Sequence, residues 1–249
     1  LAEHDPKGSK VEFLGAQFDL GLAWIHFEPG CGGLGLAPKL QNRVNAALLE
    51  VGAPLCWPLN PIGYGMCGPT VYTHGSEEQK ARYLRPLFTA EEIWCQLFSE
   101  PSAGSDVAGL TSKAVRDGEE WVVNGQKVWT TLAHVSRWGC LVTRTDPDAP
   151  KHKGLSYFVV DMHQPGVDVR PLRQMTGDAE FNEVYFTDAR VSDSERLGKA
   201  GDGWRVALTT LMNERVAIGG AQAPRGSGPI GESLRLWSEL GSHQKSVAL

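Results

Sequence analysis

This 249-residue sequence has no closely spaced cysteine pair, no long apolar run and no surplus of basic charge. Its five cysteines, Cys31, Cys56, Cys67, Cys95 and Cys140, are odd in number and widely separated. They form no C-x-x-C pair and no Cys/His cluster at metal-ligand spacing, so they read as reduced, mostly buried thiols and no metal centre is expected. No apolar stretch reaches the ~18 residues of a bilayer span, and the first residues lack a signal-peptide pattern. The expectation is a cytoplasmic protein with no membrane span. A net charge of −5 and a pI near 5.8 leave no basic stripe to neutralise phosphates, which argues against a nucleic-acid partner. The seven histidines show no H-x-x-x-H spacing. Neither a G-x-S-x-G elbow nor a Walker loop is present.

What is present is an ordinary globular composition, 41% apolar and 21% charged, in a chain long enough for two domains or for one and part of another. Residues 1–92 read as an α-helical domain, incomplete at its start. Val44, Leu48 and Val51 lie at helical spacing, and Ser76-Glu77-Glu78-Gln79 looks like a helix cap with an acidic first turn. The glycines between Glu28 and Gly35 are loop material and a weak dinucleotide fingerprint. From Ile93 the pattern turns to short β-type runs. Asp117-Gly118 and Asn124-Gly125 are turn signals flanking Trp121-Val122-Val123, and Asn-Gly is a strong hairpin cue. Further strands are expected at 139–143, 155–160, 167–172 and 184–186. About seven strands make residues 93–198 a β-sandwich or barrel-like middle domain. At Gly201-Asp202-Gly203 the period reverts, and helices over 204–219 and 230–240, separated by a loop at 224–229, begin a truncated helical-bundle domain over 199–249. The fold class is therefore α+β and multidomain. The chain starts on Leu1 and stops in the polar stretch Ser242-His243-Gln244-Lys245, so both ends read as truncated or disordered.

Three constellations could carry chemistry. "SEPSAGSDVAGL", residues 99–110, follows an apolar run that ends in Leu97-Phe98. Small residues after a strand expose backbone N–H groups to a phosphate or ring edge, with the Ser105 hydroxyl beside them; the same residues also make a surface turn. Glu100 and Asp106 there are a carboxylate pair or turn caps. Lys127-Val128-Trp129-Thr130-Thr131 places an aromatic face and hydroxyls at a strand end, fit to pack on a planar cofactor or simply to fill a core. On the helix after 203, Trp204, Ala207, Leu208, Leu211 and Ile218 make one stripe, with Glu214 and Arg215 on or beside it. A carboxylate on an apolar face is a general-base candidate, or else one half of an ion pair. His74 and His134 read as surface or satisfied residues.

Taken in order and spacing, Ser99 to Val107, Val123 to Thr131, and Gly203-Trp204 leading to Asn213-Glu214-Arg215 resemble the acyl-CoA dehydrogenase flavoprotein family over nearly the whole chain. The resemblance implies an α-helical, a β and a second α-helical domain, with FAD held between the last two and a neighbouring subunit. It implies that Gln96, Leu97, Phe98, Ser99, Gly104 and Ser105 run along the flavin and pyrophosphate, that Ser105 also meets the thioester arm, that Trp129 flanks the ring, that Thr131 reaches N5, and that Thr130 between them belongs to the cofactor-binding set. Arg215 matches a position that contacts CoA, and Glu214 one at which some members place the catalytic base; others use a later glutamate. Ser102 stands where glycine is usual and Thr130 where an aliphatic residue is common. The implied reaction is α,β-dehydrogenation of an acyl-CoA to a trans-2-enoyl-CoA, with reoxidation by an electron-transferring flavoprotein and a homo- or hetero-oligomeric assembly. A half-site subunit and an oxygen-using acyl-CoA oxidase relative remain alternatives.

Overall fold

Helices fill the leading third because its apolar residues recur at helical spacing, with serine caps at Ser9 and Ser76. In the computed structural model, which describes residues 1, 4–219 and 226–240, they are α1 (Lys10–Asp19), α2 (Gln41–Glu50), α3 (Gly68–His74) and α4 (Glu77–Phe88). The cap foreseen at Ser76 is a complete capping box. Gln79 N–H donates to Ser76 Oγ at 3.2 Å, and Ser76 N–H donates to Gln79 Oε1 at 2.9 Å. The α4 face carrying Tyr83, Leu84, Leu87 and Phe88 is buried.

Eight strands follow: β1 (Trp94–Leu97), β2 (Lys113–Asp117), β3 (Glu120–Thr131), β4 (Trp138–Arg144), β5 (Leu155–Asp161), β6 (Val167–Leu172), β7 (Phe181–Ser192) and β8 (Arg196–Leu197). Their order is β6-β7-β3-β2-β4-β5-β8, with β1 running parallel to β4. A single pairing, Lys113 with Arg144, links β2 to β4. The sheet thus folds into two halves whose inner faces meet, with Trp121, Val123, Val184 and Phe186 from one half packed on Leu97, Leu141, Phe158 and Val160 from the other. The outer face of β4 and β5, through Cys140, Val142, Tyr157 and Val159, packs on Tyr83, Leu84 and Leu87 of the helices. Burial on both faces explains why these two strands read as unbroken apolar runs.

One turn signal was real and one was not. Asp117-Gly118 joins β2 to β3, with Gly118 at φ +63°. Asn124-Gly125, expected to turn the chain, lies inside the twelve-residue β3. Gly125 there marks a bulge against β7, and a Cβ on it would stand 2.3 Å from Ser112 Oγ, so the glycine answers a close approach.

After β8, α5 (Gly203–Gly219) begins where the period was expected to change. Its buried row is Val206, Ala207 and Thr210, while Leu208 is 42% exposed and Trp204 and Leu211 are half-buried. Small residues face inward because a Cβ at Gly203 would lie 2.6 Å from the Ser156 backbone, and only a slim face fits so near β5. Leu1–Asn213 is one compact unit and Glu214–Leu249 a second; in the latter, α6 (Gly228–Glu239) is mostly exposed. The Ile218 side chain, residues 224–225 of the expected loop and the 242–245 segment lie outside the described residues. Among those described, no helix is long and apolar enough to cross a membrane.

Candidate functional site

β1 delivers its last residues to a rim formed with β3. Gln96 is half-buried and pairs with Cys140 in the β1–β4 ladder. Leu97 and Phe98 are buried, Phe98 edge-on against Tyr157 at 5.8 Å. Ser99 is half-buried, and its carbonyl accepts the Val128 N–H at 2.9 Å, which joins the strand end to β3. The chain then turns tightly, Glu100 and Ala103 exchanging backbone hydrogen bonds of 2.9 and 3.0 Å, with Pro101 and Ser102 exposed at the corner. Gly104 and Ser105 are exposed, and a Cβ on Gly104 would meet nothing within 4 Å. Open space therefore lies beside this part of the loop.

Glu100 and Asp106 do not form a carboxylate pair. Asp106 is exposed and pairs with Lys151. Glu100 is buried and closes the loop on itself: its carboxylate accepts Thr111 N–H at 2.7 Å, Thr111 Oγ1–H at 2.8 Å and Ser112 N–H at 3.0 Å. A fourth donor is Lys127 Nζ at 2.9 Å, which also donates to Phe98 O at 3.0 Å. Lys127 is fully buried. Burial alone would raise the Glu100 pKa, but the Lys127 charge and these donors pull it down to about 2. For Lys127, burial outweighs the attraction of Glu100 and lowers the pKa to about 8, so the ammonium persists at neutral pH.

Beyond Lys127 the β3–β7 register slips, and no residue pairs between Lys127 and Thr130. Trp129 sits at φ +61°, a conformation that costs a bulky L-residue of the order of 1–2 kcal/mol. The bulge turns its indole outward, 62% exposed, with an edge contact of 6.1 Å to Phe181. Thr130 points the other way and is buried; Asn182 Nδ2 donates to its carbonyl at 3.0 Å, but among the described residues its own hydroxyl has no partner. Thr131, half-buried, pairs with Phe181 at the strand end. Ser99, Trp129, Thr130 and Thr131 thus converge on one rim. A flat exposed ring and an uncrowded small-residue loop suit a planar cofactor bearing phosphates, while Thr130 lies buried behind the rim.

Glu214 and Arg215 belong to the second compact unit; Glu214 is half-buried and Arg215 exposed. The two histidines are satisfied as expected: His74 Nε2 lies 2.7 Å from Thr209 Oγ1, and His134 Nδ1 lies 3.2 Å from Asn182 Nδ2. The Lys127–Glu100 pair was not foreseen. Strand parity was the available signal, since Lys127 shares the inward register of Trp121 and Val123.

Comparison with known proteins agrees with this geometry. Residues 1–91 match the N-terminal domain model of acyl-CoA dehydrogenase, and residues 95–189 match the middle domain model. The chain belongs to the acyl-CoA dehydrogenase family. It is 46% identical over 222 residues to the acyl-CoA dehydrogenase FadE34 of Mycobacterium tuberculosis, an alignment covering 89% of this chain and 30% of that protein. Among solved structures, the Tcur3481-Tcur3483 steroid ACAD superposes with a TM-score of 0.70 at 30% identity, covering 93% of this chain and 57% of that one. The ChsE4-ChsE5 complex of Mycobacterium tuberculosis gives 0.67 at 30% identity, covering 83% and 52%. The chain therefore spans between about a third and three-fifths of these relatives' lengths.

Proposed function

We propose that this chain holds FAD at the β1–β3 rim and takes part in the α,β-dehydrogenation of an acyl-CoA thioester to a trans-2-enoyl-CoA. The observation that carries the reading is the Ser99–Trp129–Thr131 rim, with its outward ring beside an uncrowded loop. Bound FAD would supply a hydride acceptor at N5. The chain's own residues have separate tasks. The Phe98 carbonyl is already taken by Lys127, which leaves backbone N–H groups and the Ser99 hydroxyl to meet the ring. Trp129 flanks the ring, Thr131 offers a hydroxyl at its edge with Thr130 packed behind, and Gln96, Leu97, Gly104 and Ser105 line the way toward the pyrophosphate. Ser105 also meets the thioester arm, and Arg215 holds the CoA portion.

Glu214 is assigned as the base that removes the α-proton, on its match to the family position before the arginine. Hydrogen bonds to the thioester carbonyl would stabilise the developing enolate charge. Likeness to a steroid ACAD supports testing polycyclic acyl groups beside straight chains. An electron-transferring flavoprotein is the proposed oxidant; rapid reoxidation by dioxygen would mark an oxidase instead.

The test is spectroscopic. Purified full-length protein should be yellow, and its flavin band should bleach with one member of an acyl-CoA panel. Glu214→Gln should abolish bleaching while FAD stays bound; unchanged turnover defeats that assignment, and failure to take up FAD defeats the whole reading. A second reading, a half-site subunit beside a different homologous chain, is favoured by the likeness to the ChsE4-ChsE5 complex. Bleaching only after co-expression with such a chain would establish it.

A further inference from the structure

Lys127 is the least expected group in the molecule. A fully buried ammonium is expensive to desolvate, and natural or designed cores replace such ion pairs with apolar residues without losing the fold. Retaining it needs a reason beyond packing. Its two acceptors lie on one segment, Phe98 O at 3.0 Å and Glu100 Oε1 at 2.9 Å, so the side chain reaches from β3 across to the end of β1. Glu100 in turn closes the loop through Thr111 and Ser112. Next to Lys127, the Val128 N–H binds Ser99 O, and one residue later the backbone enters the strained Trp129 conformation.

We propose that Lys127 and Glu100 are positioning residues whose buried ion pair fastens the 100–112 loop to β3 and so sets the backbone at 98–100 and the bulge that presents Trp129. This rests on the cofactor reading above. The pair touches no reacting atom. It acts through Ser99, Trp129 and Thr130, which are mounted on either side of it. A neutral, similarly shaped pair would fill the same space but would lack the charge-assisted directionality that holds two segments in one register. The ammonium stays protonated at neutral pH, which the clamp requires.

The experiment uses the full chain and the double variant Lys127→Met/Glu100→Gln, which removes both charges together, with amide hydrogen exchange and FAD titration as readouts. The variant should keep the wild-type far-ultraviolet circular dichroism. Exchange at 98–100 and 128–131 should accelerate about tenfold, and FAD affinity should fall about tenfold. Unchanged exchange there overturns the clamp whether or not FAD binds. Faster exchange with unchanged FAD affinity overturns its role toward the cofactor. A wild-type chain that takes up no FAD, while the variant's exchange still accelerates, defeats the cofactor reading and the pair's role with it. If the double variant fails to fold, Thr111→Ala removes only one donor to Glu100; exchange should then rise and FAD affinity fall, each roughly threefold, and no change in either overturns the proposal.

Discussion

Acid should unfold this chain partly through one carboxyl group. Glu100 is buried with four donors on its two oxygens, and its pKa is pulled from 4.5 to about 2. A carboxyl whose folded pKa lies below its unfolded value contributes stability above pH 4.5, and that stability is lost as pH falls toward 2. At 1.36 kcal/mol per unit the full contribution is about 3 kcal/mol, of which about 2 kcal/mol has gone by pH 3. Against a total of about 5–15 kcal/mol for a typical domain, this is measurable. Urea unfolding of wild type and Glu100→Gln at pH 6 and pH 3 isolates it. The variant leaves Lys127 without its anion, so it should lose about 3–5 kcal/mol at pH 6. Its further loss between pH 6 and 3 should be about 2 kcal/mol smaller than that of wild type. Parallel pH dependences in the two proteins would refute the assignment of this carboxyl as an acid-labile hub.

Substitutions at three other positions test the rim and its supports. Trp129→Gly should be more stable than Trp129→Ala by about 1 kcal/mol, because only glycine accepts the positive φ freely; both should weaken FAD binding, and thermal melts with FAD titrations check this. Thr130→Val removes a buried hydroxyl that has no partner among the described residues, so the FAD-free chain should gain up to about 1 kcal/mol in urea unfolding while FAD affinity, set by the outward Trp129 and Thr131, stays unchanged. Gly203→Ala should cost about 1–3 kcal/mol, since its Cβ would stand 2.6 Å from the Ser156 backbone and push the start of α5 off β5. An unchanged melting temperature would show that the helix adjusts freely.

Local signals carried the strands and caps. The continuous apolar runs of β4 and β5 and the Ser76 box are written in consecutive residues, and the structure follows them. Tertiary partners decided the rest. Asn124-Gly125 is a turn dipeptide, yet β7 pairs alongside it and turns the glycine into a bulge; Asn124 Oδ1 accepts from Asp188 N–H at 3.0 Å on that partner strand. The buried face of α5 was misjudged by about one position because bulk, not hydrophobicity alone, decides what fits over Gly203 and Ala207. The rim residues were legible mainly through family resemblance. Nothing local distinguishes Trp129 from a core tryptophan, since its exposure follows from a register slip between two strands 50 residues apart in the chain.

That slip deserves a physical account, because it concentrates cost on neighbouring residues. Trp129 in a left-handed conformation and Thr130 with an orphan hydroxyl together forgo about 2–4 kcal/mol, and a single substitution would recover part of either. A chain selected for folding alone would have an aliphatic residue at 130 and glycine or a regular pair at 129. A flat ring seated on the indole would offset the Trp129 strain, since a ligand that binds this conformation stabilises what folding leaves strained, whereas the Thr130 hydroxyl lies buried behind the rim. The fixed neighbours fit this account. Lys127 and Val128 are tied to Phe98 and Ser99 on one side, and Asn182 holds the Thr130 carbonyl on the other, so the bulge cannot relax toward regular pairing when the ligand is absent. Strain held from both ends persists in the free protein and keeps the indole presented outward.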